Sequence, residues 1–161
     1  MSAIKNITTQ GATVRSLRLH RRAANETANE TANVTQKESV MNMLKKIALP
    51  TMEGIHFENL HEVVFLEAQG NYTDIHFIDG RKLLVCRTLS VMEECCGSDG
   101  QFVRIHRSST INLNRIKQYV KGKSGYVIME NSRSINVSEG KKQAFMDSLN
   151  AYFGNVRSIV D

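Results

Sequence analysis

Long apolar runs are missing from this 161-residue chain. No stretch approaches the roughly 20 apolar residues needed to cross a bilayer, and the first 20 residues hold no continuous apolar segment of the secretory type. Cysteine is scarce: Cys86, Cys95 and Cys96 include an adjacent pair with poor bridging geometry, and their number is odd. A disulfide framework is therefore excluded, and reduced thiols in a cytosol are expected. There is no CxxC and the five histidines are scattered, so no metal is expected. GxSxG, HExxH, P-loop and Gly-rich nucleotide motifs are all absent. Gly97-Ser98-Asp99-Gly100 lacks the lysine and following helix of a phosphate cradle, and nothing local supports Cys86 with His106 as nucleophile and base. The expectation is no enzyme and no cofactor. At 41% hydrophobic and 23% charged residues, the composition also excludes collagen, coiled-coil and mini-protein scaffolds. What remains is one soluble, cytoplasmic domain with some tail, large enough to bury a core without staples.

Charge is present, and it is unevenly placed. From Glu53 to Asp99 there are nine acids against three bases, a net of −6. From Arg104 to Lys142 there are nine bases against Glu130 and Glu139, a net of +7. One basic half is the footprint of a phosphate binder, and equally of a solvated basic surface.

Residues 1–43 read as a low-complexity extension. Ala24-Asn25-Glu26-Thr27, Ala28-Asn29-Glu30-Thr31 and Ala32-Asn33-Val34-Thr35 form a tandem tetrapeptide with too little apolar surface to offset ordering entropy, which predicts disorder or weak helix. Such a repeat also arises from accidental translation of repeated DNA, so native starts at Met41 or Met43 are the expectation. Residues 44–154 read as the folded domain and 155–161 as a tail.

Within the domain the pattern is β. Lys46–Leu49 and Gly54–Phe57 are short apolar runs around a turn, and Val63–Leu66 suits a strand covered on both faces. Tyr72–Ile78 alternates, with Thr73, Ile75 and Phe77 opposite Asp74 and His76; Asp79-Gly80 then turns into Arg81–Val85. Thr88 or Ser90 caps a short helix through Cys96, Ser90 and Glu93 having capping-box spacing. Strands follow at Phe102–Ile105, Ile116–Lys121, Tyr126–Met129 and Ser134–Val137, and a helix with apolar Phe145 and Leu149 closes at Gly154. The fold class is mainly β with two short helices.

The chemistry concentrates in Phe102–Ile116. A strand over Phe102–His106 places Arg104 and His106 on one face, and His106-Arg107-Ser108-Ser109 then gathers hydrogen-bonding side chains with few apolar anchors. An arginine fork matches guanine O6/N7 or phosphate, and serine suits phosphate oxygens. Asn112, between Ile111 and Leu113, reads as a satisfied polar residue pinning a turn.

Glu67-Ala68-Gln69-Gly70-Asn71-Tyr72-Thr73, Arg87-Thr88-Leu89, Phe102-Val103-Arg104-Ile105-His106-Arg107-Ser108 through Asn112, and Ile135-Asn136-Val137-Ser138 together resemble the LytTR-type DNA-binding domain, from about Lys46 to Tyr152. The resemblance implies small antiparallel sheets with short helices. It also implies a bacterial, response-regulator-like transcription factor that reads major grooves of duplex DNA through loops. Carried over by position, it implies DNA contacts at Asn71, Tyr72 and Thr73; at Arg104, His106, Arg107 and Ser108; and at Ser138, Lys141 and Lys142, where a helix N-terminus favours phosphate. Two departures stand out: Ser138-Glu139 replaces the family's frequent Ser-Arg, and no receiver fits in the 45 or so residues ahead of the domain. The expected partners are double-stranded DNA, a second copy on repeated sites, and a regulatory protein; no membrane is expected. The alternative functions are a LytTR-like module that restrains another regulator, and a single-strand binder that stacks bases on Tyr72, Tyr119 and Tyr126.

Overall fold

A computed structural model describes residues 45–156 and 158. The expectations for residues 1–43, including starts at Met41 or Met43, lie outside the described residues. The chain builds ten strands and two α-helices among the described residues: β1 (Lys46–Pro50), β2 (Ile55–Asn59), β3 (Val63–Gln69), β4 (Tyr72–Phe77), β5 (Lys82–Val85), α1 (Leu89–Cys96), β6 (Phe102–His106), β7 (Ser109–Asn112), β8 (Ile116–Val120), β9 (Tyr126–Met129), β10 (Ser134–Asn136) and α2 (Glu139–Phe153). They form the hairpin β1-β2, a five-stranded sheet in the order β5-β4-β3-β7-β6 and a three-stranded sheet β10-β9-β8, with every pairing antiparallel. None of the described helices is long and apolar enough to cross a membrane.

The five-stranded sheet is the middle layer, because its apolar side chains fall on both faces. On one face Leu66, Ile75, Phe77 and Val85 pack with Ile47 and Leu49 of the hairpin and with Leu89, Met92 and Cys96 of α1. On the other, Val64, Phe65, Ile105 and Ile111 pack with Val127, Met129 and Val137 and with Phe145 and Leu149 of α2. The continuous run Val63–Leu66 is buried throughout, as its lack of alternation predicts. At Asp79-Gly80, Gly80 takes φ 86°, where glycine pays no steric penalty, and the Phe77 N–H donates to the Arg81 carbonyl at 3.0 Å to close the turn.

Two local readings are corrected. The capping box does not form: Thr88 is the N-cap without a side-chain bond, and Ser90 and Glu93 turn instead toward Arg104. The segment Ser109–Asn112, whose polar composition gives no strand signal, is a fully buried strand. Its polar groups find distant partners. The Thr110 hydroxyl donates to Glu93, and Asn112 Nδ2 donates to the Val63 carbonyl at 2.7 Å. Asn112 Oδ1 accepts from Gln101 Nε2 at 3.1 Å and from the Asn114 N–H at 3.0 Å, so the pinning role read for Asn112 holds.

The three cysteines are free, and burial pushes the Cys96 thiol up to about 12. That thiol stays protonated and unreactive at neutral pH.

Candidate nucleic-acid interface

Sheet register decides which loops become neighbours. Gln69 pairs with Tyr72, so the β3–β4 turn at Gly70-Asn71 closes at one end of the five-stranded sheet. The Ala68 N–H donates to the Ser108 carbonyl at 2.8 Å, setting the β6–β7 turn beside it. Thr73 pairs with Val85, and its hydroxyl donates to the Arg87 carbonyl at 2.9 Å, which brings the β5–α1 connection to the same end. The Ser138 N–H and hydroxyl both donate to the Ile105 carbonyl, at 2.9 and 3.3 Å, lacing the start of α2 to β6. Four segments far apart in sequence thus share one rim. With strands about 4.8 Å apart, the sheet alone makes it about 19 Å wide.

The candidate residues divide by what they touch. Asn71, Tyr72, Arg107 and Lys141 are exposed. Arg107 has no side-chain partner among the described residues, while Lys142 Nζ donates to the Gly122 carbonyl at 2.9 Å. His106 Nδ1 accepts from the Ser108 N–H at 3.3 Å and lies 2.8 Å from the Ser108 hydroxyl. The neutral ring therefore carries its proton on Nε2, as a donor.

Three of the candidates are occupied elsewhere. Thr73 is fully buried and bonded to Arg87. The Ser138 hydroxyl is taken by Ile105, so it does not cap α2. Arg104, expected to face outward with His106, turns inward: Nη2 donates to the Arg107 carbonyl at 2.5 Å, Nε to the His106 carbonyl at 3.4 Å, and Nη1 to Ser90 Oγ at 3.3 Å and Glu93 Oε2 at 3.4 Å. The sheet bulge between Arg104 and His106 breaks the alternation that placed them on one face. Sequence reasoning missed Glu93, whose carboxylate holds both Arg104 and Thr110; its helical position suggested only a cap.

Beneath the β6–β7 turn lies a cavity of about 220 Å³ whose wall includes Glu67, His106, Ser108, Arg133 and Asn136. Nearby, Glu67, Asp74 and His76 bring potential ligand atoms within 4.8 Å of one another. These groups are already partnered: His76 Nε2 donates to Glu67 Oε2 at 3.3 Å, and Lys82 Nζ to Asp74 Oδ2 at 3.1 Å. The His76 ring stacks on Phe65 with centroids 3.9 Å apart. Burial holds His76 below the ordinary imidazole range against the opposing pull of Glu67. The unfolded chain then takes up a proton near pH 6.5 that the native ring resists. Stability is accordingly full above about pH 6.5 and declines as pH falls below it toward the lowered native value. Denaturant midpoints across about pH 7.5 to 5 are expected to fall less steeply in His76→Gln than in the unaltered protein.

Antiparallel sheets that gather exposed loops and a lysine-bearing helix start on one rim define a small, mainly β domain with two helices. Residues 53–150 match the LytTr DNA-binding domain family, and the chain belongs to it. In fold it is similar to a LytTr DNA-binding domain from Bacillus cereus, with a TM-score of 0.56 and 24% identity over 65% of this chain and 95% of that one. It is also 28% identical over 138 residues to the CO-responsive transcriptional regulator RcoM of Rhodospirillum rubrum, covering 85% of this chain. The match spans 57% of that relative's length.

Proposed function

We propose that this chain is a transcriptional regulator that binds duplex DNA sequence-specifically, its rim loops reading the major groove. The observation that carries the proposal is the convergence of the Asn71-Tyr72, His106-Arg107-Ser108 and α2-start segments on one rim, with the Arg107 side chain exposed and free of bonds among the described residues. In this reading Arg107 and His106 Nε2 donate to base acceptors, Asn71 and Tyr72 meet the neighbouring edge, and Lys141 and Lys142 neutralise phosphate. Thr73, Arg104 and Ser138 act from behind by fixing the loops. A rim of about 19 Å exceeds the roughly 12 Å of one major groove, so the loops divide between a groove and the backbones beside it.

A second reading, a module that binds another regulator or a second copy, is favoured by one feature. Ile55 and Phe57, 62% and 66% exposed, alternate along β2 on the outer side of the hairpin.

The test is retention of a random duplex pool by the full chain across a salt series, followed by sequencing of what is retained. A recurring motif with log affinity falling linearly in log salt supports the DNA reading. Retention without a motif overturns sequence-specific reading and leaves only a basic surface, and no retention at low salt favours the protein-binding module.

A further inference from the structure

In sequence, the β8–β9 loop, Lys121-Gly122-Lys123-Ser124-Gly125, reads as a turn between two strands within the basic stretch from Arg104 to Lys142. Its place in the fold says more. Val120 pairs with Tyr126, and Tyr126 with Asn136, so this loop closes at the end of the small sheet from which the chain enters α2. That is the end where Ser138 is laced to β6, so the loop sits on the same rim as the candidate reading segments.

It is also held there. The Val137 N–H donates to the Gly125 carbonyl at 2.8 Å, and Lys142 Nζ to the Gly122 carbonyl at 2.9 Å. Gly125 closes against Tyr119, where a Cβ would come within 2.8 Å of the hydroxyl oxygen. Lys121 and Lys123 are exposed and have no partner among the described residues, and in the first turn of α2 Lys141 is likewise free. The acid in that turn is Glu139. Two free ammonium groups on a pinned loop, beside a helix start carrying two more lysines, make a concentration of positive charge whose geometry is set before any partner arrives.

We propose that Lys121 and Lys123 form a further DNA contact, gripping backbone phosphates on the flank of the site read by the other loops. The proposal rests on the DNA-binding reading and adds to it a sequence-independent clamp that extends the footprint past α2. Lysine is suited to this role: it meets phosphate as a point charge and carries no base information.

The test compares the full chain with its Lys121→Gln/Lys123→Gln variant on one selected duplex and on a scrambled duplex, across about 50–200 mM salt. Losing two phosphate contacts is expected to make the log–log salt slope shallower by about 1.8 on both duplexes. Across that salt range the unaltered protein then loses about 12-fold more affinity than the variant. The ratio of specific to scrambled binding stays the same. Lys46→Gln, an exposed lysine on the β1-β2 hairpin, is expected to leave the slope unchanged. An unchanged slope in the double variant overturns the clamp while leaving the DNA reading intact, and equal flattening by Lys46→Gln overturns it in favour of a bulk charge effect. If the unaltered protein fails to bind either duplex, the reading itself fails and takes the clamp with it.

Discussion

Replacing Arg107 by Ala is expected to lower affinity for the selected duplex by about 5- to 150-fold, the equivalent of about 1–3 kcal/mol, and to relax preference at one base position. The expectation follows from what Arg107 does not do within the protein. Its side chain is exposed and has no partner among the described residues, so truncation removes no intramolecular bond. What the structure uses is its carbonyl, which accepts from Arg104 and which alanine retains. Thermal stability should therefore be unchanged and scrambled-duplex affinity should fall only by the loss of one charge. Competition titrations with single-base substitutions check this. An unaltered preference at every position would remove Arg107 from base reading.

Glu93→Ala is expected to act on both stability and discrimination, although Glu93 is not among the rim residues. Its carboxylate accepts from Arg104 Nη1 and from the Thr110 hydroxyl, and the variant leaves a guanidinium and a buried hydroxyl without that acceptor. Hydrogen bonds to charged groups contribute about 1.5–3 kcal/mol each. Arg104 and Glu93 side chains are 31% and 26% exposed, so solvent offsets part of the loss. A total of about 2–3 kcal/mol is expected in denaturant unfolding. Arg104 splints the His106 and Arg107 carbonyls, so its release should also loosen the β6–β7 turn and lower the ratio of specific to scrambled binding. Glu93→Gln keeps an acceptor for Thr110 but drops the charge, and should recover part of the stability while discrimination remains reduced. If Glu93→Ala lost stability with an undiminished binding ratio, the loop would be fixed by something other than Arg104.

Much of the fold was legible because local physics and tertiary packing agree. The Asp79-Gly80 turn and the Phe145/Leu149 stripe form as their local patterns predict, and in Tyr72–Phe77 Ile75 and Phe77 enter the core, although Asp74 and His76 on the opposite face are covered as well. Ser109–Asn112 did not declare itself, because a buried strand made largely of polar residues is stable only through partners elsewhere. Thr110 bonds to a residue 17 positions away, and Asn112 to one 49 positions away. No window of sequence contains those acceptors. The candidate site was legible in the same uneven way. Asn71, Tyr72, Arg107 and Lys141 are exposed on the elements expected, whereas Thr73, Arg104 and Ser138 are occupied in holding the loops.

By itself, then, the sequence determined the types of most elements, the apolar stripe of the closing helix and the motifs that carry membership of the LytTr DNA-binding domain family, because these depend on residues within a few positions of one another. Only the tertiary structure decided that Arg104 faces Glu93 instead of solvent and that the β8–β9 lysines share a rim with Arg107. The physical reason is register. Hydrogen-bonded pairings between distant strands set which loop ends meet, and a bulge between Arg104 and His106 reverses a facing that strict alternation would have fixed.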